Sequence, residues 1–156
     1  METNAIQQSV SAPFEQIVSP ETLLAHWQGH RNVTRRVIEA FPEDKLFTYA
    51  VGGMRPLSEL ALEIMDISSD GISGFTTGEW KAISELDHAV KKSTYKTKAE
   101  LLLQWDQITE QINTAWPQFT EQRFLEIELA FGAYEGRVID LLLYFIDNEI
   151  HHRAQA

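Results

Sequence analysis

The carboxyl-terminal stretch VIDLLLYFIDNEIHH, residues 138–152, predicts an amphipathic helix that decides how this chain folds. An α-helix advances about 100° per residue, so residues three or four positions apart share one side. Four apolar residues lie within about 100° of one another and define the predicted inward face: Val138, Leu141, Leu142 and Phe145.

Two polar side chains continue this inward face. His152 lies about 30° and Asn148 about 70° from the middle of the apolar stripe, on the same side. Their i, i+4 spacing places Asn148 one turn before His152, whereas His151 points about 130° away and is predicted to face solvent. The sequence therefore predicts that Asn148 and His152 converge on one ligand inside a helical bundle.

Length and composition indicate one globular domain over residues 1–156. The chain has 44% hydrophobic residues and no cysteine, which excludes disulfides, thiolate metal sites, iron–sulfur clusters and a cysteine nucleophile. Any metal must therefore be held by nitrogen and oxygen.

Charge and hydropathy disfavour a nucleic-acid-binding or membrane role. A formal net charge of −10 repels phosphate backbones and anionic lipid, and the one candidate basic patch, Arg31 with Arg35 and Arg36, is small. No stretch of about 18 apolar residues is present, and the polar start Met1 to Ser11 lacks a secretory pattern. We expect no nucleic-acid or membrane partner, and a cytoplasmic location.

Four helices are predicted along the chain. The first is capped by Ser19 and ended by Pro42; the second begins at Pro56. The third begins at a capping box of Thr97 and Glu100 and is ended by a proline at position 117. Residues 1–18 are expected to form a loosely ordered segment, and Trp27, Trp105 and Trp116 to lie in the core.

The connections carry less regular patterns. They predict a strand or extended lead-in at Phe47 to Val51, a loop at Asp70 to Gly78, a short helix at Glu79 to Val90, an exposed polar stretch at Lys91 to Lys98, and a partly alternating stretch at Phe124 to Phe131. Another i, i+4 pair, His26 and His30, is read as one exposed and one buried histidine.

The ending Asn148-Glu-Ile-His-His-Arg-Ala-Gln155 resembles the final-helix signature of the DinB/YfiT-like superfamily, written His-Glu-x-x-His-His-Arg-Gly-Gln. Gly53-Met-Arg-Pro-Leu-Ser-Glu-Leu60 is similar to the start of that family's second helix. The resemblance implies an all-α fold, a DinB-like four-helix bundle with long inter-helix connections, usually a homodimer.

The resemblance also implies a divalent metal such as zinc, nickel or manganese, held by one histidine of the second helix and two of the last. These positions fall here on Glu63, Asn148 and His152. Several relatives are thiol-dependent transferases that use a low-molecular-weight thiol, and others are described as hydrolases. The implied function is a metal-dependent transferase or hydrolase acting on a small-molecule substrate.

Other interpretations remain open on the residues alone. Asn148 either ligates a metal or hydrogen-bonds Glu63 or His152, and the hydrogen bond is favoured. Glu63 lies about 80° from the centre of its helix's apolar stripe, at the core boundary. His152 is a ligand, a base, or a cation that complements the helix dipole. The chain is alternatively a metal-free binding or dimeric scaffold, or a partner-binding module.

Overall fold

The computed structural model describes residues 18–90 and 95–156. The segment 1–18 that the sequence predicts to be loosely ordered lies outside these residues, apart from Val18. Residues 91–94 of the predicted polar stretch Lys91 to Lys98 also lie outside them.

Four long helices dominate the described chain, together with two short helices and one antiparallel hairpin. In chain order the elements are α1 (Pro20–Ala40), α2 (Glu43–Leu46), α3 (Leu57–Thr77), α4 (Lys98–Ala115), α5 (Glu121–Leu125), β1 (Ile127–Ala130), β2 (Tyr134–Arg137) and α6 (Val138–Ala154). Helices α1 and α3 each pack against both α4 and α6. The predicted all-α fold and its four-helix bundle are confirmed.

The predicted helix starts are confirmed by their caps. Ser19 Oγ accepts the amide N–H of Thr22 at 3.2 Å. Thr97 Oγ1 accepts the amide of Glu100 at 3.2 Å, and the Glu100 carboxylate accepts the amide of Thr97 at 3.2 Å. Each cap satisfies backbone N–H groups that have no partner within the helix.

The predicted core is confirmed as well. The inward stripe of α6, from Val138 to Phe145, is buried, and so are the side chains of Trp27, Trp105 and Trp116. No helix in residues 18–90 or 95–156 combines the length and apolar composition that crossing a bilayer requires.

The predicted loop at Asp70 to Gly78 is wrong, because α3 continues to Thr77 and ends at Gly78 with φ 76°. Two glycines allow close packing instead of breaking the helix. A Cβ on Gly71 would lie 2.2 Å from the ring of Phe145, and one on Gly74 would lie 2.5 Å from the ring of Trp80. Tertiary packing thus overrides the low helix propensity of glycine.

The predicted helix at Glu79 to Val90 is also wrong, since this segment contains only a 3-10 turn at Ile83–Glu85. The segment contacts α3 instead, through one side chain and one backbone amide. Lys81 Nζ lies 2.8 Å from Asp70 Oδ1, and the backbone N–H of His88 donates to Asp66 at 2.7 Å.

Of the two alternatives predicted for Phe47 to Val51, the strand is wrong. Phe47 to Val51 forms no strand, because the chain there leaves α2 through turns in which the amides of Thr48 and Tyr49 donate to Lys45 O. The partial alternation predicted over Phe124 to Phe131 is confirmed in strand β1, where Ile127 and Leu129 are exposed on one side; β1 follows the end of α5 and pairs with β2.

Candidate functional site

Two of the three predicted site residues meet between α3 and α6. Glu63 Oε1 lies 3.1 Å from His152 Nε2. The side chain of Glu63 is 19% exposed and that of His152 is 9% exposed. The contact joins the second turn of α3 to the carboxyl-terminal end of α6, so both predicted positions lie at the contact between these two helices.

Arg55 is a third member of this contact that sequence reasoning missed. It lies just before Pro56, the N-cap of α3, and its Nη2 donates to Glu63 Oε2. Its position inside the family-like stretch Gly53 to Leu60 was the available signal. The carboxylate of Glu63 therefore lies between two cationic groups, a guanidinium and an imidazole.

This environment changes the proton affinity of both partners. The hydrogen bond from His152, assisted by that from Arg55, lowers the pKa of Glu63 to about 2. The hydrogen bond to Glu63 in turn raises the pKa of His152 above its ordinary value, against the effect of burial. The structure thus favours a charged pair over a neutral one.

The other nitrogen of His152 is also engaged. Its Nδ1 lies 2.8 Å from Gln155 Oε1, while Gln155 Nε2 lies 3.1 Å from His151 Nε2. Because a carboxylate and an amide oxygen both accept hydrogen bonds, the ring of His152 donates from both nitrogens. This arrangement is that of an imidazolium ion.

Asn148 is buried, as predicted. Its Oδ1 accepts no hydrogen bond from any residue that the structure describes, so the alternative in which His152 donates to it is wrong. The side chain is 9% exposed and lies one turn before His152 on α6. The site therefore contains one buried acceptor oxygen without a partner.

Tyr144 lies on the same helix as Asn148, and the ring of Tyr134 packs against that of Tyr144. Tyr144, one turn before Asn148 on α6, is 46% exposed. Desolvation, followed by the charges of Tyr134 and Glu63, raises the pKa of its hydroxyl. The rings of Tyr134 and Tyr144 lie 6.0 Å apart, so the hairpin adds an aromatic edge to this end of the site.

The side chains present do not fit a divalent metal in this arrangement. A metal-binding imidazole must offer an unprotonated nitrogen, whereas both nitrogens of His152 donate hydrogen bonds. The charge of Glu63 is already balanced by Arg55 and His152, which leaves Asn148 Oδ1 as the available donor oxygen. Across residues 18–90 and 95–156, no three His, Cys, Asp or Glu side chains cluster closely enough to hold a metal.

A second polar group, in the middle of the bundle, was also missed. Arg31 and Glu149 are 0% exposed, with 3.7 Å between Arg31 Nη1 and Glu149 Oε2. The guanidinium lies 4.1 Å from the ring centroid of Trp105. It also donates to Thr109 Oγ1 at 2.8 Å, to Trp105 O at 3.1 Å and to Ser68 Oγ at 3.4 Å. The predicted basic patch is thus wrong for Arg31, which is a core residue.

This buried pair fixes the rotation of α6. Thr34 Oγ1 donates to Glu149 Oε1 at 2.6 Å, and Arg153 donates to Thr34 Oγ1 at 3.0 Å. Burial raises the pKa of Glu149 and lowers that of Arg31 to about 10. With Glu149 held against α1, His152 faces α3 from the neighbouring turn.

The second histidine pair lies outside both clusters. His26 is exposed and its ring lies 4.6 Å from that of His30. His30 is partly buried, with Arg153 Nη2 at 3.2 Å from its Nδ1. The prediction of one exposed histidine is confirmed for His26, whereas His30, predicted to be buried against aromatic residues, is only partly buried and lies beside the guanidinium of Arg153.

Comparisons with known proteins agree with this fold. Comparison with curated protein sequences found no match. A DinB-like protein from Bacillus cereus ATCC 10987 is 15% identical, with a TM-score of 0.66 over 86% of each chain. A mycothiol-dependent maleylpyruvate isomerase is 12% identical, with a TM-score of 0.70 over 88% of this chain and 60% of that one. Likenesses at such identities concern the fold alone.

The family is identified by sequence comparison. The sequence profile of the DinB family matches residues 7–156, which include both family-like stretches and all four long helices. The chain therefore belongs to the DinB family.

Proposed function

We propose that this chain is a metal-independent DinB-family protein that binds a small molecule beside Glu63 and His152. The observation that carries the proposal is the ion triad, defined as Arg55, Glu63 and His152. In the triad, one carboxylate accepts hydrogen bonds from a guanidinium and an imidazole at the same time.

The ion triad supplies the positive charge that a metal ion would otherwise supply. A divalent metal could bind Glu63 and His152 only by displacing Arg55 and removing a proton from the ring. Both changes cost free energy, because the metal competes with hydrogen bonds already made and metal-bound histidine must be neutral. The triad therefore favours a site without metal.

The side chains around the triad support binding of a small polar ligand. The unpartnered Oδ1 of Asn148 is a buried acceptor, and such an atom gains most from a ligand with a hydroxyl or N–H donor. Tyr134 and Tyr144, both exposed by more than 40%, offer apolar surface beside it. The matching ligand is a small molecule with a donor group and an apolar part.

A second candidate function is a metal-dependent, thiol-using transferase or a hydrolase. The same Asn148 Oδ1 favours it, since a buried amide oxygen without a partner, one turn before His152 on α6, is a possible metal ligand. The likeness in fold to a mycothiol-dependent maleylpyruvate isomerase also supports it. In this alternative, Glu63, Asn148 and His152 hold the metal.

Titration of the metal-free protein with zinc, nickel and manganese separates the two functions. Calorimetry and thermal unfolding should be measured for the wild type, His152→Ala and the control His26→Ala, which removes an exposed histidine elsewhere. A specific metal present at 100 times its Kd stabilises the folded state by about 2.7 kcal/mol.

We expect no stabilisation that depends on His152. One equivalent of metal bound by the wild type and His26→Ala, but lost in His152→Ala, would reject the metal-independent function and support the second candidate.

A further inference from the structure

A cavity of about 240 Å³ lies at the carboxyl-terminal end of α3, in a part of the bundle that the proposed function does not use. We name it the α3-end cavity and define it by six of the residues that line it: Phe75, Thr76, Gln118, Phe119, Arg123 and Glu126. Phe75 follows Glu63 by twelve residues, which is about 18 Å along an α-helix. The cavity is therefore separate from the ion triad.

The apolar part of the cavity wall consists of two phenylalanine rings. Phe75 is 2% exposed and Phe119 is 9% exposed, and their ring centroids lie 6.4 Å apart in an edge-to-face arrangement. Phe75 also stacks on Phe145, and Phe119 packs against Trp116. Because these neighbours hold both rings in place, the wall is rigid and suits an apolar group of a ligand.

The guanidinium of Arg123 is already engaged at this wall. It donates to Phe75 O from Nε at 3.2 Å and from Nη2 at 2.9 Å. It also donates from Nη1 to Glu126 Oε2 at 2.6 Å and from Nη2 to Glu128 Oε1 at 2.5 Å. Two carboxylates thus face one guanidinium, so the three side chains together carry more negative than positive charge.

The polar part of the wall offers hydrogen-bond acceptors. The Oε2 atom of Glu126 binds Arg123, which leaves its other carboxylate oxygen to accept from a ligand. Gln118 Nε2 donates to Thr114 O at 3.5 Å, so its amide Oε1 also remains an acceptor. Thr76 lies in the last turn of α3, which contains no basic residue and carries the negative end of the helix dipole. The cavity therefore favours a cation that donates hydrogen bonds.

We propose that the α3-end cavity binds a small organic ammonium ion that carries an apolar group. A primary ammonium has three N–H donors, which match the carboxylate of Glu126 and the amide oxygen of Gln118. Its apolar group then covers the phenylalanine wall.

The charge and the size of the molecule's parts support this class of ligand. The formal net charge of −10 attracts cations toward the chain. The cavity is smaller than the roughly 300–1,000 Å³ of clefts that hold drug-sized molecules, so the ligand is small.

Isothermal titration calorimetry with 2-phenylethylamine tests the proposal. This probe joins a primary ammonium to a phenyl ring, and 2-phenylethanol has the same skeleton without the charge. At neutral pH and low salt, the amine should bind at one site per chain. The alcohol should bind about tenfold more weakly, because it loses the charge-assisted hydrogen bond. Added salt should weaken binding of the amine, since the carboxylate of Glu126 is 46% exposed and is screened.

Three variants test the location of the site. Glu126→Gln should weaken binding of the amine about fivefold or more, because it removes the charged acceptor. Glu121→Gln is the matched control, since it removes the same charge from an exposed residue at the other end of α5. Thr76→Trp should abolish binding by filling the cavity without changing its charge. Circular dichroism and urea unfolding check that every variant is folded.

A fourth variant, His152→Ala, separates this proposal from the proposed function. It removes a member of the ion triad and leaves the α3-end cavity unchanged, so the affinity for the amine should stay the same. Four results would each overturn the proposal: no heat of binding up to about 10 mM amine, equal affinities for the amine and the alcohol, equal losses in Glu126→Gln and Glu121→Gln, or full binding by Thr76→Trp.

Discussion

Nε2 of His152 lies 3.1 Å from Oε1 of Glu63, so the end of α6 is bonded to the second turn of α3. Arg55 holds the other carboxylate oxygen. The triad thus holds one carboxylate between two cationic groups, and this relationship determines how the site should respond to mutation and pH.

Removing the charge of Glu63 should destabilise the protein. Glu63→Gln leaves His152 and Arg55 without their shared anion, and hydrogen bonds to charged groups are worth about 1.5–3 kcal/mol. Because the side chain is partly exposed, we expect a loss of about 1–2 kcal/mol in urea unfolding. Glu59→Gln, on the exposed side one turn earlier, is the control. An equal loss in both variants would contradict the triad's contribution.

The ion pair of Glu63 and His152 should also stabilise the folded protein over a defined range of pH. The pKa of His152 is raised above its ordinary 6.5, so its contribution is complete below pH 6.5 and is lost as pH rises through the folded-state pKa. The pKa of Glu63 is lowered from 4.5 to about 2, so its contribution is complete above pH 4.5 and is lost toward pH 2.

The difference in unfolding free energy between the wild type and His152→Gln should therefore be largest between pH 4.5 and 6.5. Both proteins contain His30, whose pKa is lowered, so its contribution cancels in the difference between their free energies of unfolding. A difference that grows steadily from pH 6.5 to 9 would be inconsistent with the ion pair.

Removing one member of the buried pair Arg31 and Glu149 should lower the free energy of unfolding strongly, whereas replacing both by apolar residues should lower it little. Glu149→Ala leaves a buried guanidinium without its carboxylate, and such removals cost about 3–5 kcal/mol. The double change Arg31→Met with Glu149→Met should restore most of this loss, since apolar side chains of similar volume often replace buried ion pairs. Chemical unfolding of the three proteins measures both effects. A double variant less stable than Glu149→Ala would refute this account.

The glycines of α3 should not tolerate a methyl group. Gly71→Ala and Gly74→Ala place a Cβ against the rings of Phe145 and Trp80, so we expect each to cost about 1–3 kcal/mol by overpacking. Gly29→Ala on α1 is the control, because no atom lies within 4 Å of its Cβ position. That change should stabilise by up to about 1 kcal/mol through helix propensity. Equal changes in melting temperature for the three glycine-to-alanine variants would be evidence against close packing at Gly71 and Gly74.

The sequence predicts the elements whose patterns are local. The apolar stripe from Val138 to Phe145 and the capping box at Thr97 depend on residues within one or two turns, and both are confirmed. The length of α3 depends instead on Phe145 and Trp80, which are distant in sequence from Gly71 and Gly74. Local propensity therefore predicted a loop where packing stabilises a helix.

The candidate site was predictable in part for the same reason. Asn148 and His152 follow the stripe of α6, but the contact of Glu63 with Arg55 depends on how the chain approaches Pro56. The Arg31–Glu149 pair did have a signal, since Arg31 follows Trp27 and Glu149 follows Phe145 at i+4 on buried stripes. Charged residues are rarely fully buried without a partner, and that partner lies on another helix.

The most direct test of the metal-independent site is ¹⁵N nuclear magnetic resonance of the His152 ring, with and without equimolar zinc, near pH 6. We predict that both ring nitrogens are protonated and donate hydrogen bonds, and that zinc leaves their resonances unchanged. His152→Ala identifies the signals. A ring nitrogen of His152 that loses its proton and takes on the shift of a metal ligand when zinc is added would contradict the account.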